Sequence, residues 1–264
     1  MKKILTILLI ISTILISGCV STVNPVNPED VIVQVSPITM KEFKEMELSV
    51  SVSNNATEAI DSVKVASFEP FAVPAGGNVN IPAKTKEGMS TVTLDAKIQA
   101  PGFKEAKETT TLTLSYASGR DKDGKPIIKT KTVPVQTTVL PDAKLQFVGF
   151  VKDPNSAMEA ELTSWTKEKG GNATITFSVK NEGKTTIDEN TLKVFVDIKE
   201  KRIGGNESRT IGEAMARGGT SYTEKVELPV LKNAPNGVTD VDVILLMGDK
   251  VIDTKTLQLT VKLG

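Results

Sequence analysis

The sequence predicts an all-β fold, with two tandem β-sandwich domains after a signal peptide and a short tether. Three observations lead to this prediction. Apolar residues recur at every second position in short runs, Thr and Val dominate those runs, and the pattern repeats 127 residues later. Period-two spacing places side chains on one face of a strand, and β-branched side chains suit a pleated surface.

Residues 1–18 form a predicted lipoprotein signal peptide. Lys2 and Lys3 precede an apolar run from Ile4 to Ile16, which is shorter than the about 20 residues of a transmembrane helix. The following end, Ile16-Ser17-Gly18-Cys19, resembles the lipobox of bacterial and archaeal lipoproteins, in which the cysteine takes a lipid and becomes the new N-terminus. The resemblance implies that Cys19, the only cysteine of the chain, is the lipidation site. We therefore expect a lipid anchor at the extracytoplasmic face of the cell membrane.

Residues 19–30 form the predicted lipidated tether. This segment contains two prolines and two asparagines and has little to bury, so we expect a semi-extended chain about 30 Å long, at about 3.1 Å per residue. With Cys19 lipidated, no thiol remains for a disulfide, and a hydrophobic core must hold the fold. The loss of Lys2 and Lys3 leaves 30 basic against 32 acidic residues, and this balance argues against a nucleic-acid partner.

The first predicted domain covers residues 31–140. Alternating runs begin at Val31, Leu48, Val63, Val92, Leu112 and Val133. Turn signals separate them, at Asn54-Asn55, Pro74-Ala75-Gly76-Gly77, Glu87-Gly88, Pro101-Gly102 and Asp123-Gly124. About seven short strands at this spacing predict a β-sandwich.

The second predicted domain covers residues 142–264 and repeats the pattern of the first. The run from Leu48 to Asn54 lines up with the run from Ile175 to Asn181 at an offset of 127 residues. Glycine turns and closing hairpins recur in the same order, at Gly88 and Gly218-Gly219, at Pro101-Gly102 and Pro235-Asn236-Gly237, and at Asp123-Gly124 and Gly248-Asp249. This agreement in order and register predicts two copies of one fold, with a boundary near Pro141-Asp142.

The strand ends of the two copies carry a family resemblance. A strand followed by Asn-Asn-Ala (54–56) or Asn-Glu-Gly (181–183), and then by Leu-Lys-Val-Phe-Val-Asp (192–197), resembles adhesion-related immunoglobulin-like modules of archaeal and bacterial surface proteins. The Leu-Ser-Tyr run (114–116) and the charged hairpin after it are similar to domains of archaeal S-layer-associated proteins. The resemblance implies placement at the cell surface and a structural or binding role, and it carries over no catalytic residue.

Several motifs suggest sharper chemistry. Asp121-Lys122-Asp123-Gly124 begins like a calcium loop, but position 12 of the loop is Thr132 instead of Glu, and a hairpin turn explains the same residues. N-glycosylation sequons occur at Asn55, Asn172 and Asn206. Trp165 is interpreted as a core or rim residue, within the segment 155–169 where helix and strand compete.

The chain has no histidine, which removes Ser-His-Asp and Cys-His catalysis together with the usual zinc ligands. A glycosidase-type carboxylate pair is chemically open, but most acidic residues lie in turns or alternate with lysine, as in Lys199-Glu200-Lys201. We therefore expect no catalytic residues, no cofactor and no metal.

Two classes of function are left. The first is a lipid-anchored surface protein with a structural, adhesive or protein-binding role, whose partners are the membrane and a cell-envelope or surface protein. The alternative is an accessory ligand- or partner-binding lipoprotein of a membrane transporter or secretion complex. Solute receptors usually place their site in a cleft between α/β lobes. No βαβ alternation is present here, so the sequence favours the first class.

Overall fold

The computed structural model describes residues 25–152 and 162–262. The predicted signal peptide and Cys19 therefore lie outside the described residues, as does part of the segment 155–169. Within the described ranges the chain forms 17 β-strands and one 3₁₀ turn at Pro28–Asp30. The prediction of an all-β sandwich fold is confirmed. In this part of the chain, no helix is long and apolar enough to cross a bilayer.

The described residues group into two compact units. Unit 1 contains residues 25–38, Glu45–Gln99 and Glu108–Gln136. Unit 2 contains Thr39–Lys44, Ala100–Lys107 and the described residues from Thr137 onward. The main division thus falls a few residues before Pro141, and two short segments of the first predicted domain belong to unit 2. Independent folding of the two halves stays a prediction.

The strands up to residue 140 lie in two sheets. Their bounds are β1 Val31–Gln34, β2 Ile38–Lys41, β3 Glu45–Asn54, β4 Ile60–Ser67, β5 Ala72–Gly76, β6 Val79–Ile81, β7 Ser90–Gln99, β8 Thr109–Arg120 and β9 Pro126–Leu140. One sheet has the order β1-β3-β7-β5 and the other has the order β2-β9-β8-β4-β6. Residues of β2 and β9 that lie in Thr39–Lys44 or after Gln136 belong to unit 2.

The remaining strands of unit 2 also form two sheets. Their bounds are β10 Ala143–Val151, β11 Ser164–Glu168, β12 Asn172–Asn181, β13 Leu192–Ile198, β14 Asn206–Thr210, β15 Ser221–Pro229, β16 Gly237–Met247 and β17 Lys250–Lys262. The sheet orders are β10-β12-β15 and β11-β17-β16-β13-β14. Strand β11 runs parallel to β17, whereas the pairs of β17 with β16 and of β16 with β13 are antiparallel.

The two sets of strands share one connectivity. Replacing β1, β3 and β7 by β10, β12 and β15 reproduces the first sheet order, apart from the additional edge strand β5. Replacing β2, β9, β8, β4 and β6 by β11, β17, β16, β13 and β14 reproduces the second. The repeat detected in the sequence therefore corresponds to a repeat in topology, and the aligned runs occupy equivalent strands.

Alternating side chains fill the space between the sheets of each unit. In unit 1, Leu94, Leu112 and Leu114 are fully buried. In unit 2, Phe177 and Val194 belong to one continuous apolar cluster drawn from both sheets. Burial of this kind supplies most of the stabilising free energy of a chain without crosslinks, at about 25 cal/mol per Å² of apolar surface.

The prediction of a turn over Pro74–Gly77 is wrong. Residues Ala72–Gly76 form β5, which pairs with β7 at the edge of its sheet. Proline and glycine are tolerated in edge strands because one side of the backbone makes no ladder hydrogen bonds. At Gly77 the reason for glycine is a close approach, since an added Cβ would lie 2.2 Å from the carbonyl oxygen of Asp95.

The last residues of the expected tether, from Pro25 to Asp30, are packed onto the fold and do not form a free chain. Val26 is buried, and Pro28–Asp30 form a 3₁₀ turn that the side chain of Asn27 caps by accepting from Glu29 N–H. One valine with two prolines around it gave no periodic signal in the sequence, yet the folded chain buries Val26.

Candidate interaction surfaces

The three sequon asparagines all lie at exposed positions. Asn55 follows β3 in a turn, Asn172 begins β12, and Asn206 begins the edge strand β14. The amide nitrogen of Asn172 donates to Glu227 Oε2 at 2.9 Å, so attachment of a sugar there would replace this bond. Glycosylation of these residues stays a prediction.

Two buried asparagines were missed by sequence reasoning. Asn54 Nδ2 donates to the carbonyls of Glu58 and Pro82, and its Oδ1 accepts from Ala56 N–H at 2.9 Å. Asn181, at the equivalent position, donates to three carbonyls, those of Thr185, Met215 and Ala216, and accepts from Gly183 N–H at 3.0 Å. Each asparagine ties the end of one strand to two loops. The available signal was that both stand at the last aligned position of the repeated strand.

The Asp121 loop forms the expected hairpin turn. Asp121 Oδ1 accepts from the N–H groups of Asp123 and Lys125, both at 2.9 Å. Gly124 has a φ of +78°, which favours glycine, and its carbonyl accepts from Arg120 at 2.8 Å. One carboxylate oxygen of Asp121 is thus used by the turn itself. Across the described ranges, no group of three or more metal-ligating acidic, cysteine or histidine side chains is found.

Trp165 is a half-buried residue at the rim of unit 2, as interpreted from the sequence. It lies on β11, packs against the apolar cluster, and its ring centroid is 6.0 Å from that of Phe150. Lys167 Nζ lies 5.0 Å from the Trp165 ring, within cation–π range. The part of segment 155–169 that the structure describes is strand instead of helix.

The outer face of the five-stranded sheet in unit 2 carries an apolar row. Cross-strand register places Ile244 beside Phe195 and Leu246 beside Val251. Phe195, Ile244 and Leu246 are half-buried and Val251 is exposed. An open sheet face with such a row can accept an apolar surface of a partner.

Next to this row lies a ladder of charges on the same face. Lys199 Nζ is 2.6 Å from Asp242 and 3.6 Å from Asp197, and Lys201 also pairs with Asp197. The hydrogen bond from Lys199 lowers the pKa of Asp242 against the opposing effect of burial, and Thr256 adds a second hydrogen bond at 2.7 Å. These side chains therefore form a connected set of ion pairs on this face.

A second group of charges in unit 2 surrounds Asp142. Lys44 Nζ lies 2.9 Å from its carboxylate and Lys41 Nζ lies 3.4 Å away. Burial raises the pKa of Asp142, but the hydrogen bond from Lys44 and the charge of Lys41 outweigh burial, so that its pKa is lowered. Lys41 also donates to the carbonyl of Ala143 at 3.0 Å.

Glu42 is a buried carboxylate in unit 2, with 1% of its surface exposed. Its Oε2 accepts from Phe103 N–H at 3.4 Å, while Oε1 has no hydrogen-bond partner. A Cβ on Gly183 would lie 2.0 Å from Oε1, so glycine at 183 is needed for this carboxylate to fit. A metal ion needs several ligating groups, and Glu42 supplies one carboxylate with one amide contact. Glu42 therefore does not form an ion site.

A cleft of about 280 Å³ opens in unit 1, where β4 begins and β8 ends. Charged side chains of both signs line it, including Glu58, Asp61 and Arg120. Ser118, also in the lining, accepts a hydrogen bond from Val26 N–H at 2.8 Å. The cleft thus lies beside the place at which the chain enters unit 1.

No protein-family model matches the chain, and no curated protein sequence matches it either. Among solved structures, it is similar to a transglutaminase of red sea bream, with 10% sequence identity and a TM-score of 0.39. The match covers 89% of this chain and 32% of the enzyme, so the chain spans about a third of the length of that enzyme. At this TM-score the likeness carries no argument about activity.

Proposed function

We propose that the chain is a lipid-anchored surface protein that acts by binding other envelope or surface proteins through its β-sandwich faces, and that it is not an enzyme. The observation that carries this proposal is the sequence Ile16-Ser17-Gly18-Cys19 after an apolar run, in a chain with no other cysteine. The all-β architecture supports it, because open sheet faces and edges are common protein-binding surfaces.

The carboxyl groups with shifted pKa values take part in ion pairs, as is common on protein-binding surfaces. A glycosidase-type general acid is a carboxyl group with a raised pKa. Among the described residues, every carboxyl group with a resolved shift has a lowered pKa: Asp142, Glu182, Glu200 and Asp242. Each is held ionised by a neighbouring lysine or arginine, and for Glu200 the bond from Arg202 lowers the pKa to about 2.

The lipid anchor is tested by Cys19→Ser, with Ser21→Ala as a matched control outside the lipobox. We expect Cys19→Ser to be released from membranes or to stay unprocessed, since no acceptor thiol remains, while Ser21→Ala stays with the membrane fraction. Fractionation and intact-mass measurement read out both outcomes. A mature-length Cys19→Ser protein that still sediments with membranes would contradict the anchor.

The binding role is tested by crosslinking and pull-down from native membranes. Phe195→Ser interrupts the apolar row of unit 2 at a half-exposed position, and Thr254→Ser, two strands away on the same face, serves as a control. Loss of a captured envelope protein in the first variant only would identify this face as the binding surface. Capture of a transporter permease would instead favour the accessory-lipoprotein alternative.

A further inference from the structure

The chain enters unit 1 at a fixed position. Val26 N–H donates to Ser118 Oγ at 2.8 Å, and the Val26 carbonyl accepts from the Tyr116 hydroxyl at 3.4 Å. Lys131 Nζ donates to the Pro28 carbonyl at 2.8 Å. The segment before β1 is therefore fastened beside the end of β8 and the start of β9.

Strand register shows which loops share this end of unit 1. Val31 at the start of β1 lies opposite Asn54 at the end of β3, and Ser90 at the start of β7 pairs with Asn54 on the other side. Asp61 near the start of β4 lies opposite Ala117 near the end of β8. The loops at 55–59, 82–89 and 121–125 therefore gather where the chain enters.

Exposed apolar side chains concentrate at the same end. In the described part of unit 1, three large apolar side chains are more than a third exposed: Ile32 at 38%, Met89 at 49% and Ile128 at 61%. Ile32 is the second residue of β1, Met89 ends the loop before β7, and Ile128 is the third residue of β9. Singly exposed apolar residues are ordinary, but all three here lie at one end of the sandwich.

The charges around these side chains are mixed. Exposed lysines lie in the loops and at the hairpin tip, namely Lys84, Lys86, Lys122 and Lys125. Carboxylates accompany them, including Glu58, Asp61, Glu87, Asp121 and Asp123. A surface of mixed charge with exposed apolar side chains and long lysine side chains suits the zone between headgroups and acyl chains better than it suits a purely ionic partner.

Chain length limits how far this end can be from the predicted anchor. Pro25 is six residue steps from Cys19, and an extended chain spans at most about 3.6 Å per step, so the two lie within about 22 Å. Lipid on Cys19 would thus hold this end of unit 1 close to the headgroups.

We propose that this end of unit 1 is a membrane contact, in which Met89 and Ile128 insert between the headgroups of the bilayer that holds Cys19. The inference rests on the proposed lipid anchor and adds a second attachment to it. The inserted side chains would fix the orientation of this end of unit 1 against the bilayer, which a flexible lipid tether alone does not do. The partner is the lipid surface itself. The apolar side chains insert into it, and the lysines lie among the lipid phosphates.

The test uses the lipidated full-length protein, in which a blocked Cys19 leaves no free thiol. Met89→Cys and Ile128→Cys then each accept a single fluorophore, and Val238→Cys in unit 2, at 63% exposure, is the matched control. Vesicles of phosphatidylcholine and phosphatidylglycerol, about three to one, contain a nitroxide-labelled lipid as quencher. We expect strong quenching at positions 89 and 128 and little at 238.

The failures of the anchor and of the contact are distinguishable. Labelling of Cys19 itself in the unsubstituted protein would show that the anchor is wrong. Protein that stays on the vesicles with no quenching at 89 and 128, or with equal quenching at all three positions, would overturn the contact alone. Protection of position 128 in native membranes but not in protein-free vesicles would also overturn it, in favour of a protein partner.

A kinetic measurement checks the same inference without labels. The lipidated Met89→Ser/Ile128→Ser variant should leave donor vesicles about tenfold faster than the unsubstituted protein, because two inserted apolar side chains are lost. Equal transfer rates would contradict the inserted contact.

Discussion

At the residue scale, the equivalent asparagines Asn54 and Asn181 carry the most information. Each is fully buried and meets several backbone carbonyls of two loops. Buried carbonyls without a donor cost about 1–3 kcal/mol each, so one side chain stabilises both loops at once. The repeat marked both positions, but a lone asparagine in a sequence looks the same whether it is exposed or buried.

Asn181→Asp tests this role with an isosteric change. The aspartate keeps the acceptor for Gly183 N–H but loses the amide donor to three carbonyls, and we expect a loss of about 2–4 kcal/mol in the free energy of unfolding. Chemical denaturation measures the loss. Asn206→Asp, the same change at an exposed site, should stay within about 0.5 kcal/mol. Equal effects of the two substitutions would refute the structural role.

The environment of Tyr222 predicts how the stability of the protein changes at high pH. Burial, followed by a hydrogen bond to Glu224 Oε2 at 2.5 Å, raises the pKa of Tyr222 to about 12, against about 10 in an unfolded chain. The neutral phenol is favoured in the folded state, so its contribution to stability is complete below about pH 10 and is lost as pH rises through about 12.

The comparison of Tyr222→Phe with the unsubstituted protein isolates this contribution from the titration of lysines. We expect the stability difference between the two to shrink between about pH 10 and about pH 12. Ultraviolet titration adds a direct reading, since Tyr116 is the only other tyrosine and its pKa is also raised, by burial and by Asp30. Ionisation of Tyr222 near pH 10 would contradict the assigned environment.

At the element scale, the predictable strands were those with one buried and one solvated face. The alternating runs at Leu48, Val92 and Leu112 became β3, β7 and β8, which pair inside their sheets. Strands β2, β5, β6, β11 and β14 gave little or no signal, because they are short or lie at sheet edges where alternation is weak. Whether an edge segment forms a strand depends on pairing with a neighbouring strand. The residues of the segment alone do not reveal that pairing.

Strand β9 shows how an exposed edge is protected. It has 15 residues, whereas its outer neighbour β2 has four, so among the described strands most of that edge has no ladder partner. Pro126 and Pro134 remove backbone donors along it, and Lys129 and Lys131 place charges on its inner side. These devices hinder edge-to-edge association, and they explain why a strand rich in Ile, Thr and Val can stay exposed.

At the scale of the whole molecule, the division into units can be tested with one fluorophore. Trp165 is the only tryptophan of the chain and lies in unit 2. If each unit unfolds by itself, Asn181→Asp lowers the midpoint of the tryptophan transition, whereas Asn54→Asp leaves it unchanged and lowers only a circular dichroism transition. We expect this independent behaviour. A tryptophan midpoint lowered equally by both substitutions would mean that the units unfold as one.

The candidate surfaces were less predictable than the fold. The sequons and the hairpin at Asp121 could be read locally, because a few adjacent residues define them. The apolar row of Phe195 and Ile244 and the group of Met89 with Ile128 are assembled from residues far apart in sequence. Their positions depend on cross-strand register, so only the folded chain shows them.

The attachment of the first strand determines how unit 1 would respond to a pulling force. β1 is joined to β3 by only four register pairs, whereas β3 and β7 share ten. A force applied through the N-terminal side would break the contacts of Val26 and then detach β1, while the longer pairs still hold. The ten residues from Pro25 to Gln34, at most about 36 Å of chain, would then be freed before the rest of unit 1 bears the load. This segment would therefore detach at a lower force than the longer strand pairs, and the remaining fold of unit 1 would stay intact.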